Sequence, residues 1–109
     1  MRLWGLAVAA AAMIAAPAWA AESNGSDLFN TRCGICHASG GFGANILARR
    51  LGPGKSVLAA RVDLTPAYVT IAVRRGIGSM PPFSRVEITD PELQAIEGYL
   101  ARPRATASK

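Results

Sequence analysis

Histidine occurs once in this chain of 109 residues and cysteine twice. That shortage leaves too few ligands for a structural zinc centre, which draws on four. No βαβ pattern surrounds the two cysteines, which argues against thioredoxin-type thiol exchange. Acidic residues are scarce, 7 against 12 Lys and Arg. The basic residues nevertheless form no clustered run, so nucleic acid is not an expected partner. There is no internal repeat. Beyond residue 21 no apolar stretch is long enough to span a bilayer.

What is present begins with a processing signal. Met1-Arg2 is followed by the apolar run Leu3 to Ala16, then Pro17, then Ala18-Trp19-Ala20 before Ala21. A charged start, an apolar centre and an A-x-A exit predict a cleaved signal peptide over residues 1–20 and one domain over residues 21–109. The alternative is an uncleaved anchor, but an alanine-rich run inserts weakly. Cleavage predicts a periplasmic protein with no stable membrane span. It removes Met1, Met13, Trp4 and Trp19, leaving His37 and Met80 as the only residues of their kinds and no tryptophan. Loss of Arg2 leaves 11 basic residues against 7 acidic ones, a net charge of +4.

Cys33-Gly34-Ile35-Cys36-His37 then carries the chemistry. Two thiols three positions apart, with an imidazole directly after the second, match the attachment spacing of a c-type haem. Each sulfur can add across one porphyrin vinyl group, and His37 becomes the proximal iron ligand. Such chemistry belongs outside the reducing cytoplasm, in keeping with export. Met80 is the candidate distal ligand. It lies 43 residues beyond His37, within Gly78-Ser79-Met80-Pro81-Pro82-Phe83, where two prolines stiffen the loop. Arg49, Arg50, Lys55 and Arg61 are candidates to pair with haem propionates, Arg49 and Arg50 foremost, and Tyr68 can also reach one. A backbone carbonyl near Ala44 or Asn45 is the expected acceptor for the second His37 nitrogen.

The rest of the chain reads as helices punctuated by glycine and proline. Asn24 or Ser26 is expected to cap a first helix beginning near Asp27, with Gly25, Phe29 and Cys33 on one stripe. Gly40 to Gly43 reads as a flexible connection, residues 46–51 as a helical turn and Ser56 to Arg61 as another. Thr65-Pro66 predicts a helix start and Gly76 its end. Thr89-Asp90-Pro91-Glu92 has the spacing of a capping box and opens a last helix striped by Leu93, Ile96 and Leu100. Gly98 within that helix predicts the close approach of another. Gly25 and Phe29 are the expected partners of Ile96 and Tyr99.

In order along the chain, Leu28-Phe29, the Cys33–His37 motif, Ser79-Met80-Pro81-Pro82-Phe83 and Asp90-Pro91-Glu92-Leu93 through Gly98-Tyr99-Leu100 resemble the class I, single-haem cytochrome c family. The resemblance implies an all-α cytochrome c fold, three to five helices around one covalent haem c and its iron. It also implies electron transfer through an exposed haem edge, and so an electron-transfer protein rather than an enzyme. One departure is Ala44, which stands where the family commonly has a proline. More narrowly, Tyr68-Val69, Val73-Arg74-Arg75-Gly76 and Ser79-Met80-Pro81 resemble the small cytochrome subunits of flavoprotein phenol dehydrogenases of the p-cresol methylhydroxylase type. The expected role is therefore an exported one-electron carrier between a dehydrogenase, a flavoprotein among the candidates, and a respiratory acceptor such as another cytochrome or an oxidase. One alternative is a tightly bound dehydrogenase subunit. Another is an open-site haem enzyme or gas sensor.

Overall fold

Two helix starts are written in side-chain chemistry. The computed structural model describes residues 12–14 and 18–102. In it the Thr65 hydroxyl accepts the Tyr68 N–H at 3.2 Å, with Pro66 directly following. The cap satisfies a backbone donor that the first helical turn leaves open, and proline loses nothing there because its N–H has no helical partner. At the second start the Thr89 hydroxyl accepts the Glu92 N–H at 3.4 Å, while the Glu92 carboxylate accepts the Thr89 N–H at 2.8 Å. That reciprocal pair is the expected capping box.

Five α-helices follow in order among the described residues: α1 (Ala18–Arg32), α2 (Gly34–His37), α3 (Phe42–Leu51), α4 (Pro66–Arg75) and α5 (Asp90–Leu100). Short 3-10 turns at Pro53–Lys55 and Leu58–Ala60 join α3 to α4. The described residues contain no β-strand, so the fold is all-α, with five helices. None of the described helices is long and apolar enough to cross a membrane. The predicted signal segment lies mostly outside the described residues, as does the tail after Arg102.

Phe29 of α1, Leu64, Val69 and Val73 of α4, Ile88, and Leu93, Ile96 and Leu100 of α5 form one buried cluster. Burial of each such side chain stabilises the fold by roughly 1.5–3 kcal/mol. The α1–α5 crossing is made possible by Gly25. A Cβ there would run into the Ala95 carbonyl and lie 3.0 Å from the Tyr99 Cβ. One turn further along α1, the Phe29 and Tyr99 rings meet at 5.7 Å with a 44° tilt. The Thr70 hydroxyl donates to the Glu97 carboxylate and ties α4 to α5.

Several expectations are corrected. The first helix does not start near Asp27; it is already formed at Ala18, because the alanines upstream are strong helix formers. Asn24 and Ser26 are thus interior positions, not caps. The third helix starts at Phe42, so Phe42 and Gly43 are helical rather than part of a flexible connection. The segment expected to be helical over Ser56 to Arg61 makes only a 3-10 turn. Gly98 meets nothing within 4 Å, so the close approach belongs to Gly25 on the opposite helix.

Candidate functional site

The thiols and the imidazole lie on one continuous bend of the chain. The Cys33 N–H still bonds back to the Phe29 carbonyl at 2.8 Å, and the His37 N–H donates to the Cys33 carbonyl at 3.0 Å. Helical hydrogen bonding thus carries through the joint between α1 and α2. Cys33 is half-buried and Cys36 exposed, and no disulfide joins them. Burial pushes the Cys33 thiol up to about 11, against the pull of Arg32 and with a small push from Cys36.

The start of α3 packs directly behind this bend. A Cβ on Gly41 would stand 2.5 Å from the Cys36 carbonyl oxygen, and one on Gly43 would stand 3.2 Å and 3.3 Å from Cε1 and Nδ1 of His37. The imidazole is therefore backed by bare peptide. Its Nδ1 is buried and has no hydrogen-bond partner, and burial lowers the pKa of the ring. The expected acceptor near Ala44 or Asn45 is not there. Because α3 begins at Phe42, the carbonyls of both residues are directed along the helix into its own ladder.

Met80 sits on the connection between α4 and α5, in a turn fastened at each end. Gly76 ends α4 with φ +72°, and its N–H donates to the Ala72 carbonyl at 2.9 Å. Ile77 and Met80 then exchange both backbone hydrogen bonds, at 3.0 and 2.9 Å. At the far end the Phe83 N–H returns to the Val73 carbonyl at 2.7 Å. Gly76 is enclosed by this turn: a Cβ on it would stand 2.5 Å from the Met80 carbonyl oxygen. Met80 itself is half-buried and packs against the core cluster.

The basic candidates divide into two groups. Arg50, in the last turn of α3, reaches the Met80 turn, with its Nη1 3.8 Å from where a Gly78 Cβ would be. Arg49 is exposed on the same turn of α3. Lys55 and Arg61 instead converge on Asp63, at 2.9 and 2.8 Å, and hold its carboxyl far below the usual range. Tyr68 is 50% exposed on α4 and acts electrostatically on Arg61. The structure thus gathers Cys33, Cys36 and His37 on one bend and brings Arg50 of α3 beside the turn that carries Met80. It commits Lys55 and Arg61 to a carboxylate.

These residues fit a covalent haem. Among the described residues no group of three or more His, Cys, Asp or Glu could hold a metal ion. The donors present are one imidazole, one thioether and two thiols suited to carbon–sulfur bonds, a set that a porphyrin iron would complete. Ile35 and Ile77 are exposed on the two bends that carry these donors, and Phe42, Leu51 and Ile71 on the neighbouring helices α3 and α4. They offer apolar surface for a large flat ring to cover.

Sequence reasoning missed two residues of this site. Gly43 was read as linker, yet it backs the imidazole; nothing local marks it, since glycine there also suits a loop. Arg74 stands in the last turn of α4, where a cation suits the helix dipole. Its guanidinium instead reaches forward to the Phe83 and Ile88 carbonyls and to Asp90.

Residues 20–100 match the family described as cytochrome C oxidase, cbb3-type, subunit III. No curated protein and no solved structure matches the chain. With most of the chain covered by that match, and with the helices, thiols, imidazole and thioether placed as described, this protein belongs to that family of class I c-type cytochrome domains and carries a covalently bound haem c.

Proposed function

We propose that this chain is an exported one-electron carrier whose haem is attached through Cys33 and Cys36 and ligated by His37 and Met80. Haem c, when bound, supplies a single Fe(III)/Fe(II) couple. Each thiol adds its sulfur to one vinyl carbon and its hydrogen to the neighbouring carbon, so no other reactant is consumed. His37 turns Nδ1 into the protein, which leaves Nε2 for the iron. Met80 supplies a soft thioether, which favours Fe(II) and raises the potential. With His37 and Met80 both holding the iron, no position would be left for a substrate. Arg50 is the favoured propionate partner because its guanidinium already lies beside the Met80 turn; Arg49 and Tyr68 are the others.

The observation that carries this reading is the Met80 turn, pinned at Gly76 and at Phe83. A rigid turn keeps the ligand set unchanged between oxidation states, which electron transfer requires. Residues 1–20 direct export to the periplasm and are then removed. The mature charge of +4 favours transient, salt-sensitive docking on acidic partner surfaces. The donor is a dehydrogenase and the acceptor another cytochrome or an oxidase; membership of a family named for an oxidase subunit supports a respiratory role. Docking as a permanent dehydrogenase subunit, as in the p-cresol methylhydroxylase type, would instead give co-purification that survives salt.

Two measurements test the proposal. Intact mass of exported protein should equal residues 21–109 plus one haem; a bare polypeptide mass overturns it. Met80→Ala should yield a five-coordinate haem of lower potential that binds carbon monoxide rapidly in the ferrous state. An unchanged optical spectrum in that variant excludes Met80 as the ligand.

A further inference from the structure

Arg74 stands in the last turn of α4, where a cation complements the helix dipole without further partners. Its side chain is only 15% exposed, and it is engaged at three points. Nη1 donates to the Phe83 carbonyl at 3.2 Å and to the Ile88 carbonyl at 2.9 Å, and Nη2 donates to the Asp90 carboxylate at 2.8 Å. Phe83 closes the turn that holds Met80. Ile88 is 2% exposed and anchors the core. Asp90 opens α5. One planar fork thus joins the Met80 turn to the core and to the last helix, a geometry that a lysine ammonium cannot reproduce.

We infer that Arg74 is a positioning residue for the Met80 ligand: it keeps the Met80 turn closed, and its loss admits outside ligands to the sixth position of the iron. The inference rests on Met80 being that ligand, as proposed above. A thioether–iron bond is weak, so the closed state depends on the anchors of the turn itself. The backbone anchor from Phe83 to Val73 survives a change at residue 74, so the variant keeps the path of the chain. What changes is the fraction of time the turn is open. An outside ligand binds only that fraction, and its apparent Kd falls as the fraction grows.

Imidazole titration of the ferric holoprotein, followed optically, measures this directly. Met80→Ala should bind imidazole most tightly. Arg74→Gln should bind it roughly tenfold more tightly than the unaltered protein, the loss expected for hydrogen bonds to a charged group. Arg74→Lys, which keeps the charge for Asp90 but not the fork, should fall between. A tight Met80→Ala variant beside an Arg74→Gln variant of unaltered affinity overturns the clamp and leaves Met80 ligation standing. A Met80→Ala variant no tighter than the unaltered protein overturns Met80 ligation itself. Thr65→Ala loosens the start of α4, at the end away from the fork and its partners, so equal tightening there assigns the effect to general instability and overturns the clamp. Should Arg74→Gln give no folded holoprotein, Asp90→Ala removes one arm at an exposed position. It should tighten imidazole binding less, and no tightening overturns the inference.

Discussion

Gly76 concentrates two constraints in one residue. Its φ of +72° is a conformation L side chains rarely adopt, and the Met80 carbonyl oxygen occupies the space a Cβ would need. Gly76→Ala should therefore cost about 1–3 kcal/mol and also disturb the Met80 turn. Denaturant melts of the holoprotein check the first effect and imidazole affinity the second; an unchanged melt would mean the turn relaxes freely. At this scale the sequence is informative where the chemistry is local. Cys33, Cys36 and His37 lie within one bend, so their spacing alone names their joint use. Gly76 was legible as a helix terminator for the same reason. That it also holds the Met80 carbonyl was not, because the turn must fold back before the two meet.

Elements were legible where a side chain reports on its own backbone. Thr65 and Thr89 each cap a helix within three residues, and both starts lie where the sequence puts them. Glycine was the poor guide. Gly41 and Gly43 lower local helix propensity and so suggested a loop, yet α3 begins at Phe42 because its first turn packs behind the Cys36 carbonyl and the His37 ring. Gly98 suggested a helix contact, yet its surroundings are open. Gly98→Ala should accordingly stabilise the protein by about 1 kcal/mol, the helix-propensity difference alone. Urea denaturation measures it, and a loss of stability would reveal a neighbour that the open surroundings of Gly98 do not supply.

At the level of the whole molecule the core is small, as expected for a domain of this length. A central macrocycle supplies apolar contacts that the side chains alone do not. The haem-free mature chain should therefore be largely disordered by circular dichroism; a cooperative, native-like melt would contradict this. Acid should also weaken the fold. Asp63 is held low by Arg61 and Lys55, Glu87 by Ser84, Asp90 by Arg85 and Arg74, and Glu92 by Thr89 and Arg32. Each is a carboxyl whose folded-state pKa lies below its unfolded one, so its contribution is complete above the unfolded value. It is lost as pH falls through the folded value. The melting temperature of the holoprotein should hold near neutrality and decline below about pH 4. A melting temperature that rises on acidification would show that these bonds do not stabilise the fold.

The all-α class could be read without a structure, and the proposed ligand set was named from it, because a motif of five adjacent residues, a lone methionine between glycines and prolines, and side-chain caps all act over a few bonds. Tertiary structure alone decided which cations remain available and which are taken, since Asp63 draws in Lys55 and Arg61 and so distinguishes them from Arg50 beside the Met80 turn. It also decided that Gly25 rather than Gly98 lets two helices touch, that His37 Nδ1 lies against bare peptide, and that Arg74 braces the Met80 turn. Each of those outcomes depends on groups far apart in the chain that meet only once α1 and α5 have crossed, and no local pattern records where such a crossing will place them.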